Sequence, residues 1–253
     1  MSTGFHDHFS PLAEAYSRFR PTYPPALFAW LAEHAPARNA AWDCATGSGQ
    51  AALALAEHFA RVVATDASAE QVAHARPHPR VEYRVAPAER SGLEPRSVDL
   101  VTVAQALHWF DVPAFFREAG RVLRPGGLLA AWCYETLTLA DPTLDGIVDT
   151  FYRETVGPFW PPQRRLIEEG YASVRLPFAE VPTPPFAMEA DLTLDALAGY
   201  FRTWSATRGY VEAHGRDPVE GVVEELRGPW GDPDRPRRVR WPLSVRAGYA
   251  PRD

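Results

Sequence analysis

Lysine is missing from this chain. Across 253 residues, all 26 of its Lys-or-Arg positions are arginine. That excludes a Walker-type phosphate loop, whose lysine must reach the nucleotide phosphates. It also excludes a pyridoxal phosphate Schiff base and any lysine nucleophile. Cysteine is nearly missing too. Cys44 and Cys133 are the only two, and both sit inside apolar runs. They offer neither a disulfide framework nor a Cys/His zinc spacing, and are expected as buried free thiols in a reducing compartment. No grouping of Asp, Asn and Glu suggests a catalytic divalent metal, so none is expected. Net positive charge is absent. The formal charge is −6, which argues against a nucleic-acid partner. The one basic cluster, "RPRRVR" at 235–240, lies among prolines and reads as a solvated loop running into a strand. The opening "MSTGFHDHFSPL" has no basic-then-apolar targeting pattern, and no apolar run approaches membrane length. A cytoplasmic protein with no membrane partner is the expectation, as a monomer or a homodimer.

What is present is enough for a core. Hydrophobic residues make up 46% and charged residues 23%, which suits one large α/β domain or one domain with a substantial insertion. Short apolar runs at 40–45, 61–66, 81–86, 97–104 and 128–134 read as strands. They are continuous rather than alternating, as in a sheet covered on both faces. Helix-like stretches lie between them at 50–59, from Ser68, and at 111–123. Ser68 and Gln71 have capping-box spacing, and Asp111 can cap the later helix before "RPGG" stops it. This alternation implies βαβ units and a parallel sheet. After 135 the rhythm changes to Pro-broken helical segments rich in aromatics, an extended stretch "PFAEVPTPPFAMEA", two more helices and a closing strand. The expected division is 1–35 as N-terminal lid helices, 36–134 as the core, 135–230 as a cap interleaved with the late strands, and 231–253 as the closing strand.

The stretch "AWDCATGSGQAALALAEHFARVVATD" (41–66) holds the strongest chemical signal. A strand ends in Asp43, a small-residue loop follows, and a second strand ends in Asp66. Ligands of open α/β sheets bind at the carboxyl ends of the strands. Asp66 falls about 20 residues after the glycines, where a carboxylate meets a ribose diol. That suits both NAD and S-adenosylmethionine (SAM). The literal Gly-x-Gly-x-x-Ala match (Gly47, Gly49, Ala52) points to a pyrophosphate. Asp43 at the loop's mouth points away from one, because it would repel phosphate and suit an ammonium. Alternatively, Asp43 is a strand-end residue capping a nearby turn.

In order and spacing, "DCATGSGQ", "VVATDAS", "VAPAE", "VDLVTVAQALHWF" and "RVLRPGGLLAAW" resemble the motifs of class I SAM-dependent methyltransferases. The branch around trans-aconitate methyltransferase is the most similar. "AEAYSRFRPTYP", "FWPPQRRLIEEGY" and "YFRTWSA" extend the likeness over nearly the whole chain. The resemblance implies a Rossmann-like, doubly wound, mostly parallel seven-stranded sheet with helices on both faces and a helical cap after strand 5. It implies SAM as cofactor and S-adenosylhomocysteine as product. By similarity, Asp43, Ala45, Gly47 and Gly49 wrap the methionyl arm, Asp66 accepts the ribose hydroxyls, and Ala67 and Ser68 border the adenine. Ala88 and Glu89 face the adenine edge, and Gln105 and Ala106 lie beside the sulfonium. Tyr16 and Arg20 resemble a lid whose arginine meets the cofactor carboxylate; the other reading of Arg20 is a surface arginine. Two positions depart from the family. Ala45 stands where glycine is usual and is tolerable if it keeps a negative φ. Pro87 replaces a polar residue and offers neither a side-chain partner nor an amide donor.

Methyl transfer from a sulfonium is an in-line displacement that alignment and desolvation accelerate. A carboxylate acceptor needs no base; a hydroxyl or amine can lose its proton to one. His108 in "ALHWF" is the candidate base, or else a packing partner of Trp109. Trp109, Tyr134, Trp160, Trp204 and Tyr210 are candidates for the wall of an acceptor pocket, or else core. Arg164 or Arg165 can clamp a carboxylate, or form a solvated helix face. The expected activity is methyl transfer to a small molecule at oxygen, with a carboxylate favoured by the resemblance. N- or C-methylation, a non-catalytic SAM-binding protein and an NAD-dependent oxidoreductase are the alternatives.

Overall fold

The computed structural model describes residues 21–252, so Tyr16 and Arg20 lie outside the described residues. Five parallel strands form the centre: β1 (Ala40–Cys44), β2 (Arg61–Asp66), β3 (Val81–Val85), β4 (Val98–Ala104) and β5 (Leu123–Tyr134). Their order is β3-β2-β1-β4-β5. The helices α1 (Pro25–His34), α2 (Gln50–Ala56), α3 (Ala69–His74) and α4 (Val112–Val122) accompany them. Ser68 caps α3 through the amide of Gln71, and Asp111 caps α4 through that of Ala114, as their spacing predicts. "RPGG" does not follow α4 as a loop. It belongs to β5, where the register against β4 jumps from Val98↔Leu123 to Leu100↔Leu128.

After β5 come α5 (Pro142–Thr150), a single π turn (Phe151–Thr155), α6 (Arg164–Glu168), β6 (Ala179–Val181), β7 (Phe186–Leu192), α7 (Leu194–Arg202), α8 (Ser205–His214), α9 (Val219–Trp230) and β8 (Arg237–Tyr249). β8 runs antiparallel to β5. Its outer edge is shared: β6 pairs at one end and β7 at the other. The sheet therefore has eight strands rather than seven. The division falls at Pro182, Pro184 and Pro185, which have no amide to give a ladder. The basic cluster does enter a strand. Arg238 of β8 pairs with Glu189 and Asp191 of β7.

Two apolar layers cover the sheet. One holds Trp42, Val101, Phe115 and Leu129 together with Tyr171. The other runs without a break from Leu27 and Phe28 of α1, across Leu55 and Trp132, to Phe151, Phe201 and Leu226 of the cap. The cap thus shares its core with the sheet. Both cysteines are buried free thiols. Among the described residues, no helix is long and apolar enough to cross a membrane.

Candidate active site

The strand order reverses between β1 and β4, and the crevice outside their carboxyl ends is where open α/β sheets take ligands. The β1–β4 register sets Asp43 opposite Thr102. Thr102 Oγ1 donates to Asp43 Oδ1 at 2.7 Å, and Thr46 Oγ1 donates to Oδ2 at 2.6 Å. The carboxylate is only 1% exposed. It lies beneath the glycine loop, not at its mouth as the sequence suggests. Burial pushes its pKa up to about 6; the two hydroxyls pull the other way, and Asp66 adds repulsion. A carboxyl with a raised folded-state pKa stabilises fully below its ordinary 3.8 and loses that stability as pH rises through about 6. Asp43→Asn removes this loss. The variant's melting temperature is expected to gain on wild type between pH 4 and 7, by the equivalent of about 2 kcal/mol. A difference that stays flat across that range would contradict the assignment.

Ala45 corrects a second expectation. Its φ is +55°, in the left-handed region, rather than negative. The reason is the neighbouring strand β2: the chain must turn sharply there for Thr46 N to reach Thr65 O at 2.9 Å and Gly47 N to reach Asp66 Oδ2 at 2.8 Å. Ala45→Gly is expected to stabilise the fold by about 1 kcal/mol in urea unfolding, since relief of left-handed strain exceeds the added chain entropy. Gly47 and Gly49 also have positive φ, +56° and +87°.

Asp66 is 8% exposed. Besides Gly47 N on Oδ2, it accepts Ser68 N on Oδ1 at 2.9 Å. Ala67 is exposed, and Ser68 and Ala88 are buried. Glu89 Oε1 accepts the Asp111 amide at 3.0 Å and so ties its loop to the start of α4. Gln105 has a φ of +57°, an unusual conformation for a non-glycine residue at a strand end. Its Oε1 accepts Tyr134 N at 2.9 Å. Ala106, next to it, is buried.

Beyond β4, Trp109, Tyr134, Trp160, Arg164 and Trp204 line one pocket, together with Gln105 and His108. Tyr210 is not among its lining; it packs on Phe159 and His214. Arg165 points elsewhere, paired with Glu169 at 2.6 Å. Arg164 lies 4.5 Å over the Trp160 ring, and its Nε donates to Tyr152 Oη at 2.8 Å. No carboxylate pairs with Arg164 among the described residues.

His108 is buried, with Nδ1 3.1 Å from Tyr171 Oη. Burial, then the charge of Arg164, lowers its pKa to about 3. Such an imidazole is a poor base at neutral pH, which counts against the general-base reading. Burial pushes the Tyr171 phenol well above its usual range. Its proton therefore stays and can be given to Nδ1, in the tautomer that carries the imidazole proton on Nε2.

Four residues here escaped the sequence reading. Tyr152 comes from the π turn, and no motif marks it. Glu168 was findable, since it stands four positions after Arg164 on α6. Thr46 stands three after Asp43, a local spacing that allows the hydroxyl contact. Thr102 meets Asp43 only through strand pairing. Among the described residues, no group of three or more His, Cys, Asp or Glu is placed to hold a metal ion.

Comparison with known proteins identifies the family. The profile of a methyltransferase domain matches residues 42–131. A Dictyostelium discoideum protein named as a methyltransferase is 33% identical over 227 residues, covering 88% of this chain and 86% of that one. A Mycobacterium tuberculosis methyltransferase of uncharacterised activity is 39% identical over 122 residues, about half of each chain (48% and 49%). A solved structure from Anaeromyxobacter dehalogenans, described as a type II methyltransferase, is 48% identical with a TM-score of 0.88, covering 92% of this chain and 99% of that one. The chain belongs to the class I SAM-dependent methyltransferases.

Proposed function

We propose that this methyltransferase acts on a small-molecule carboxylic acid, at oxygen. SAM, when bound, supplies a methyl group already activated by its sulfonium. The residues present fit that donor. Asp66 ends β2, accepts the amides of Gly47 and Ser68, and stands where a carboxylate takes a ribose diol in open α/β sheets. The loop from Ala45 to Gly49, held from below by Asp43, takes the methionyl arm. Ala67, Ser68 and the Ala88–Glu89 backbone border the adenine, and Gln105 and Ala106 border the methionyl end.

The observation that carries the acceptor reading is Arg164. Its guanidinium lines the pocket, stacks on Trp160 and has no carboxylate partner among the described residues. A cation in that setting favours an anionic ligand, and the planar fork suits a carboxylate. His108, neutral and with its proton on Nε2, offers a second donor without repelling the anion. A carboxylate is already nucleophilic, so a weakly basic histidine is no obstacle. Arg164 orients the acceptor, and the aromatic walls exclude water.

The test is S-adenosylhomocysteine release across a library of carboxylic acids, each paired with its primary amide. Turnover is expected with acids alone, and Arg164→Met is expected to lower kcat/KM for the best acid about twentyfold. Equal turnover of the amides would overturn the reading.

A further inference from the structure

Arg164 and Glu168 stand four residues apart on α6, the spacing at which helical ion pairs form. The next pair along, which ends on the helix C-cap Glu169, does form directly: Arg165 Nε meets Glu169 Oε1 at 2.6 Å. Arg164 and Glu168 do not pair. Tyr152 stands between them: Arg164 Nε donates to its hydroxyl oxygen at 2.8 Å, and that hydroxyl donates to Glu168 Oε1 at 2.7 Å. Two adjacent pairs with the same chemistry and spacing thus end differently, and the difference is one phenol.

The phenol is held in place. Tyr152 is 3% exposed and belongs to the π turn Phe151–Thr155, a local widening of the helix often found at functional positions. Its ring packs against Trp160 at 5.1 Å and edge-on to Trp204 at 5.7 Å. Burial pushes its pKa up to about 12, so the hydroxyl remains a donor to Glu168 at every working pH.

We propose that Tyr152 is a spacer: its hydroxyl intercepts the Arg164–Glu168 ion pair and keeps the Arg164 guanidinium available to an anionic acceptor. Tyr152 is thus a positioning residue, acting through Arg164. The step from an available guanidinium to acceptor binding rests on the carboxylate reading above. The spacer itself does not.

The experiment reads Arg164 directly, without acceptor. Phenylglyoxal condenses with guanidinium groups that are not engaged by a carboxylate. Its rate at Arg164 is followed by peptide mass mapping in wild type, Tyr152→Phe, Glu168→Gln and the double variant, with Arg165 as internal reference. In Tyr152→Phe the arginine falls onto Glu168, and its rate is expected to drop about threefold or more. In the double variant the trap is gone, and the rate is expected to return to wild type or above. A merely structural role for Tyr152 gives no such rescue. An unchanged or faster rate in Tyr152→Phe, or a double variant as slow as the single, overturns the spacer. In the same four proteins, quenching of tryptophan fluorescence by benzoate and by benzyl alcohol tests the acceptor reading separately. Benzoate is expected to bind more tightly to wild type, and to lose and regain affinity in step with the phenylglyoxal rates. Equal binding of the two probes alongside the expected rate pattern sinks the carboxylate reading and leaves the spacer standing.

Discussion

Asp66→Ala is expected to weaken SAM binding about a hundredfold, because two charge-assisted hydrogen bonds to ribose hydroxyls vanish at once. The same carboxylate accepts the amides of Gly47 and Ser68, so the variant also loosens the loop and is expected to lose about 2 kcal/mol of stability. The two losses are separable. Asp66→Asn keeps one oxygen acceptor and most of the volume, so it is expected to recover much of the stability but less of the affinity. Isothermal titration with SAM and with S-adenosylhomocysteine, beside urea unfolding of each variant, gives both quantities. The two ligands are expected to suffer alike, since they share the ribose and differ only at sulfur. An unchanged affinity in Asp66→Ala would place the ribose elsewhere. A loss for one ligand alone would assign Asp66 to the sulfur end instead.

The sheet was legible because its strands are continuous apolar runs separated by capped helices, and both caps stand where Ser68 and Asp111 predict them. The eighth strand was not, because the prolines that divide the outer edge of β8 read equally well as one extended stretch. The glycine loop marked the candidate cofactor site but misled on details. Its Gly-x-Gly-x-x-Ala match suggested a dinucleotide, and family membership decides for SAM. Asp43 read as an acid at the loop's mouth because a sequence does not say that β4 brings Thr102 against it. Ala45 looked tolerable because its backbone angle is set by the long-range bonds of Thr46 and Gly47 to β2. Trp109, Tyr134, Trp160, Arg164 and Trp204 were legible as a candidate set, and they do line one pocket, whereas Arg208 in the same lining carried no signal. Tyr152 was hidden because its role depends on a π turn and on a helix twelve residues later. Such arrangements are written in tertiary geometry, not in residue spacing.

Gly49→Ala is the most damaging single change expected for the fold itself. Gly49 is the N-cap of α2 and has a φ of +87° and a ψ of 18°, a conformation that costs an L-residue about 1–2 kcal/mol. A Cβ there would also stand 2.3 Å from Tyr83 Oη and 3.0 Å from two ring carbons. The ring is not free to swing away at no cost, because its hydroxyl donates to Arg76 O at 3.0 Å. Moving it breaks that bond and opens the packing of β3 against the start of α2. Strain and overpacking together are expected to cost about 3 kcal/mol, seen as a melting temperature lower by about 6–12 °C. The contributions separate in a double-mutant cycle. In a Tyr83→Ala background the steric part disappears and the backbone part remains, so Gly49→Ala is expected to cost about half as much there. Equal cost in both backgrounds would mean the ring does not confine Gly49, and that glycine is needed at this position for its φ alone.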